Sequence, residues 1–225
     1  MTDEAEARPA PRRIPVRGVV AAAIAVIVVG AIAFSVGRIS GITEPTPTST
    51  SAAAGFARDM QVHHDQGVEL ALLVRDRSED ADIRSLAYDI ATAQSNQSGQ
   101  MYGWLVVWGL PQASPEPSMT WMTRPSLDGQ AAHGHDEDDG AHEPGAPMPG
   151  LATLEQVQSL QEATGVEAEV IFLELMIAHH QGAIDMSEAV LERTDSTLVK
   201  TFATGVIAAQ EKEIVYMETL LAART

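Results

Sequence analysis

The pattern of apolar and polar positions divides the chain into one unbroken apolar run and several amphipathic stretches. Residues 18–37 carry no charge, and about 20 such residues suffice to cross a bilayer as a helix. Farther on, apolar residues recur every three to four positions, which predicts helices over 54–77, 80–108, 164–193 and from 195 or 196 to 223. Glu79, Asp80 and Asp82 suit a helix start, and Gly109 followed by Pro111 a helix stop. Thr153 with Gln156 reads as a capping box for a short helix, and Thr164 with Glu167 as one for the third long helix.

At about 100° per residue, Phe56, Met60, His63, Gly67, Leu70 and Val74 share one stripe, with His63 near its centre and His64 at its edge. The third long helix repeats this stripe with Phe172, Met176, His179, Ala183, Met186 and Val190. His64 and His180 are thus expected to be partly exposed. The stripe of the second helix includes Ile83, Ile90, Gln94, Ser98, Met101 and Leu105. That of the fourth includes Val199, Val206, Gln210, Ile214, Met217 and Leu221, with Glu213 at its margin.

These matches are an internal repeat. An ungapped offset of 116 residues lays Met60 on Met176, His63-His64 on His179-His180, Gln94 on Gln210 and Met101 on Met217. His63 and Gln94 lie 16 and 15 residues from a first turn near Glu79, and His179 and Gln210 lie equally far from a second near Asp195. At about 1.5 Å per residue each pair sits at one height. The expected fold is all-α, a four-helix bundle of two repeated hairpins (56–110 and 165–223) joined by a long crossover (111–164), with an interior layer of His and Gln bordered by Met.

Charge places the chain. Of 14 basic and 31 acidic side chains, residues 1–38 hold five Arg against three acids, so the remainder carries a net charge of -19. That balance argues against nucleic acid as a partner. Arg8, Arg12, Arg13 and Arg17 precede the apolar run, which orients 1–17 to the cytoplasm and the rest outside. A single-pass anchor in the cell membrane is favoured; a signal peptide cleaved near Ala31-Ile32-Ala33 is the alternative. Residues 38–55, rich in Thr, Ser, Pro and Ala, read as a flexible tether to the domain at 56–225.

The chain has no cysteine, which removes disulfides and thiolate metal sites. Imidazole suits copper, zinc and iron, and thioether sulfur selects soft ions. A His/Met set in an exported domain therefore points to copper, with His63, His179, Met60, Met176, His64, His180, Met101 and Met217 as ligand candidates. Gln94, Gln210 and Glu213 are candidates for supporting contacts. His133, His135 and His142 form a further cluster, in an acidic loop that suits loose cation binding or plain solvation. A di-iron carboxylate site fits poorly, because the residues three before His63 and His179 are methionines and only Asp59 and Glu213 are inward acids near the layer. A hydrogen-bonded structural layer with methionine as filler is the competing explanation. No phosphate loop, GxSxG elbow or HExxH marks an enzyme.

The segments Asp59-Met60-Gln61-Val62-His63-His64 and Met176-Ile177-Ala178-His179-His180-Gln181-Gly182-Ala183 resemble the duplicated motif of domain-of-unknown-function family 305. So do Trp104-Leu105-Val106-Val107-Trp108-Gly109-Leu110-Pro111, Met148-Pro149-Gly150-Leu151 and Gln210-Glu211-Lys212-Glu213, over about residues 56–223. The resemblance implies a ferritin-like bundle, usually exported in bacteria, in which some members bind copper through His and Met. The first copy departs from the pattern: Gln66-Gly67 follows Asp65, where Gln181-Gly182 directly follows His180, which puts equal binding by the two halves in question. The readings carried forward are an anchored copper-sequestering or copper-transferring protein, an accessory module of a membrane complex without metal, and a di-metal oxidase.

Overall fold

Local capping sets where three helices of this computed structural model begin; the structure describes residues 26–35, 44–129 and 143–225. Ser51 caps α1 (Ala52–Arg77) by accepting from the Ala54 N–H. Asp80 caps α2 (Ala81–Val107), its carboxylate accepting from Asp82 and Ile83. The predicted Gly-then-Pro stop closes α2: Gly109 is left-handed (φ 67°), its N–H reaches Val106 O, and Leu110 N–H reaches Leu105 O. Thr153 and Gln156 form the predicted capping box of α3 (Leu154–Glu162).

The second predicted capping box does not form. Thr164 precedes α4 (Gly165–Leu191) without a side-chain bond. Gly165, the first position, is left-handed at φ 58°, and a capping box needs helical backbone there to aim its N–H groups at the cap. Ser196 likewise precedes α5 (Thr197–Ala222) without a capping bond.

The result is an all-α bundle. α1 packs on α2 and α4 packs on α5, each as an antiparallel hairpin, and the hairpins meet through α1 and α4. α3 lies against both central helices, as does a 3-10 turn at Thr120–Thr123. The apolar core falls into two clusters. One holds Phe56, Met60, Met101, Leu105 and Met186; the other holds Leu70, Ile90, Phe172, Met176 and Met217. The His/Gln layer lies between them along the helices, as the heights predict. Ser98, expected on the inner stripe, is only half-buried, because its hydroxyl turns out to the Asp65 carboxylate.

The described parts of the crossover are seated rather than loose. Asp59 is buried, but its carboxylate accepts from the Met119 N–H and the Trp121 indole N–H instead of facing the layer. Trp121 then stacks edge-on against Phe56 at 5.8 Å. Two helical glycines have no such duty: a Cβ on Gly103 or Gly205 meets nothing within 4 Å. Gly103→Ala and Gly205→Ala are each expected to stabilise the domain by about 0.5–1 kcal/mol by removing unfolded-state entropy, read as a raised midpoint in urea unfolding.

The chain separates into units at 1–45 and 46–225. In the first, residues 26–35 are helical and exposed. The remainder of the predicted span at 18–37, with the segment 1–17 expected in the cytoplasm, lies outside the described residues. Among the described residues no helix is long and apolar enough to cross a membrane.

Candidate metal centre

His63 and His64 leave α1, His179 and His180 leave α4, and all four side chains are 0% exposed. The expectation that His64 and His180 reach solvent is therefore wrong. α1 and α4 are the central helices, each flanked by its hairpin partner and by the other, so a wide arc of each is covered. Adjacent residues about 100° apart both fall inside that arc. The imidazoles form a row across the core: ring centroids lie 6.3 Å apart from His64 to His63, 3.9 Å from His63 to His179, and 6.1 Å from His179 to His180.

Hydrogen bonds fix the tautomers. His63 Nε2–H donates to Pro149 O at 2.9 Å, and His179 Nε2–H donates to His63 O at 2.7 Å. His180 Nε2–H meets the Glu213 carboxylate at 2.7 Å. A carbonyl or carboxylate accepts only, so in each ring the lone pair sits on Nδ1. All three Nδ1 atoms, both His64 nitrogens, both Gln94 amide atoms and Gln210 Oε1 are buried without a partner. These are eight of the ten such atoms among the described residues. Buried polar atoms normally find partners, so this concentration marks the layer as a place built for something besides packing.

Burial keeps His63, His64 and His179 neutral. It is the main cause holding His63 well below the ordinary histidine range, with His179 and then His64 adding to it and the Pro149 bond opposing. Burial, then His179 and His180, lower His64 to about 3; Gln97 offsets this in part, without a bond of normal geometry. Burial also lowers His179 to about 4. A neutral imidazole is the ligand form. Because these folded values lie below the unfolded 6.5, the unfolded chain takes up protons first as pH falls. The stability is present above about pH 6.5 and is lost between there and about 4, at up to about 1.4 kcal/mol per pH unit for each ring. Asp59, raised by burial, opposes this as a single group. Thermal melts of metal-free protein from neutral pH down to 4 should show this decline; a flat profile would contradict neutral rings.

A strap covers the layer. Pro149 O lies where a Cβ on Gly182 would stand, 2.0 Å away, and a Cβ on Gly150 (φ 72°) would fall 2.1 Å from Ala178 O. Gln66 grips the same strap twice: its amide donates to Ala152 O at 2.9 Å and accepts from Ala152 N–H at 2.7 Å. Gly67 makes room beneath, since a Cβ there would lie 2.1 Å from Gln94 Oε1 and 2.7 Å from His179 Cε1. The Gln66-Gly67 departure between the repeats is thus the strap's clamp beside a space for the layer.

The candidates divide as follows. His63, His64, His179, His180, Gln94 and Gln210 come together in the layer, with Glu213 at its edge. Met60 and Met101 are buried in one adjoining apolar cluster, Met176 and Met217 in the other. His133, His135 and His142 lie outside the described residues. Met119 and Met122 pack the crossover onto the bundle. Among the described residues no group of three or more His, Asp or Glu stands in ligating positions. Two imidazoles sharing a tetrahedral ion at about 2.0 Å would hold their centroids about 5 Å apart. The 3.9 Å stack of His63 on His179 must open for an ion to sit between them.

Sequence reading missed Gln66 and Gly182 as clamps, because their partners lie in an irregular segment. It had the signal for Glu213: the offset of 116 pairs it with Gln97, and His180 with His64.

The family model described as "Domain of unknown function (DUF305)" matches residues 53–221. A DUF305 protein from Streptomyces coelicolor is 43% identical, over 79% of this chain and 96% of that one, with a TM-score of 0.67. A DUF305 fragment from Deinococcus radiodurans is 29% identical, over 80% and 99%, with a TM-score of 0.59. CopM in its Cu(I)-bound form is 20% identical, over 79% and 97%, with a TM-score of 0.53, a likeness of fold alone. CopM structures also include Cu(II)-bound, Ag-bound and apo forms. Comparison with curated proteins finds no match.

Proposed function

The chain belongs to the DUF305 family, and from that premise we propose that it is an exported, membrane-anchored protein with a ferritin-like bundle that binds copper in its imidazole layer and sequesters it or hands it on. The observation that carries this reading is the set of unpartnered Nδ1 atoms on buried rings, three of them held in one tautomer by an Nε2–H bond to an oxygen. Metal-binding histidines characteristically donate their other N–H in this way. The fold shared with CopM, which is known in copper-bound and silver-bound forms, supports the choice of metal.

His63, His64, His179 and His180 would hold the ion through nitrogen. Met60, Met101, Met176 and Met217 offer thioether sulfur from either side once a side chain turns inward, a ligand set that suits soft monovalent copper. Pro149 and Glu213 orient their rings. The acidic domain raises the cation concentration at its surface, and the run at 18–37 would tether it to the membrane.

A metal-free accessory module is the second reading, favoured by the close His63–His179 stack and by the lack of a preformed three-ligand group among the described residues. Titration of the full chain with Cu(I) against a competing chelator separates the two. Binding tighter than micromolar is expected, and micromolar or weaker binding would overturn the copper reading.

A further inference from the structure

The two copies of the repeat present different outer partners to equivalent histidines. At one end of the imidazole row, His180 Nε2–H is held by Glu213 at 2.7 Å. At the other, His64 is equivalent to His180 by the offset of 116, and Gln97 stands where Glu213 stands. His64 has no bond of normal geometry at either nitrogen. Both outer residues are half-buried, and at that position charge is what differs. The exposed Asp65 carboxylate, equivalent to Gln181 by the same offset, lies at the His64 end but turns to Ser98 and bonds neither His64 nitrogen. The Glu213 side chain is 33% exposed while that of His180 is 0% exposed, which makes this carboxylate a bridge from solvent to a buried ring whose Nδ1 has no partner. The strap side is closed by Pro149, Gly150 and the Gln66 clamp.

Resting on the copper reading, we propose that Glu213 is the entry and positioning residue of the layer, so that the first soft monovalent cation loads at the His180 end and the His64 end fills later and more weakly. Three physical effects act together. The Glu213 carboxylate draws a cation to the His180 ring it touches, whereas at the other end Gln97 is neutral and the Asp65 carboxylate is turned to Ser98. Glu213 holds His180 with the Nδ1 lone pair free, whereas the His64 ring is not held in one tautomer. It also raises the basicity of the ring it accepts from, as a carboxylate behind a metal-bound histidine does.

Ag(I), a redox-silent stand-in for Cu(I), tests this on the full chain. Imidazole nitrogen shifts are followed by NMR, and affinity by competition, for the parent chain, Glu213→Gln and Gln97→Glu. At substoichiometric Ag(I) the His180 Nδ1 signal should move first. Glu213→Gln should weaken the first step about 10–100-fold, the cost expected for an outer partner of a ligand. Gln97→Glu should strengthen the later step and narrow the gap. His64 moving first or together with His180, or an unchanged first step in Glu213→Gln, would overturn the inference while leaving metal binding intact. Failure of the parent chain to bind Ag(I) would overturn the copper reading and this inference with it. Glu213 is at the margin of the inner face of α5 and outside both apolar clusters, and Gln97→Glu supplies an independent gain, so neither result depends on a variant that fails to fold.

Discussion

Replacing His63 and His179 together with alanine is expected to lower Cu(I) affinity by at least about a thousandfold. Altering only the partner behind a metal-bound histidine costs about 10–100-fold, and each of these substitutions removes a proposed ligand outright. The rings are the two inner members of the row and stack at 3.9 Å, so their loss separates His64 from His180. The single variants should each retain part of the affinity, because the remaining inner ring can pair with an outer one. The measurement is chelator competition, with a thermal melt of each variant to show that the bundle persists. A double variant that binds Cu(I) like the parent would remove the imidazole layer as the site.

Gly182→Ala should be among the most damaging single changes of one methyl group. The added Cβ would lie 2.0 Å from Pro149 O and 2.3 Å from Pro149 C, both backbone atoms. The strap cannot retreat cheaply. Gly150 is itself pressed on Ala178 and His179, and Gln66 and His63 hold the same segment by three hydrogen bonds. Overpacking against rigid backbone costs about 1–3 kcal/mol, and detaching the strap forfeits further bonds of about 1 kcal/mol each. A loss of about 3 kcal/mol should lower Tm by about 6–12 °C in a domain of this size. Gly103→Ala, on the same backbone type but in open space, is the control and should move the other way. A drop of less than about 2 °C in Gly182→Ala would mean that the strap does not sit as described.

Much of this was legible in the chain. The offset of 116, the distances of His63 and Gln94 from their turn, and the stripes built on Phe56 and Phe172 carry the hairpins, the layer and its methionine borders. His64 shows where such reading stops. Periodicity gives an angle around one helix axis, but burial depends on how many neighbours that helix has, and α1 has neighbours on two sides. Thr164 shows a second limit, since a capping motif acts only if the first residue of the helix has right-handed backbone angles, and Gly165 has φ 58°.

By itself the sequence determined that the domain is helical and duplicated, that its only soft ligand is Met, beside the borderline nitrogen of His, and that both His-His pairs lie at the height of a glutamine. These follow from the helical rise, from the angle between successive residues and from composition. The tertiary structure alone decided which ring nitrogen is free and which oxygen holds each ring. Those properties depend on single oxygens 2.7–2.9 Å from each ring. Pro149 O arrives from 86 residues away along the chain and His63 O from 116. No local pattern records such meetings, because chain packing creates them.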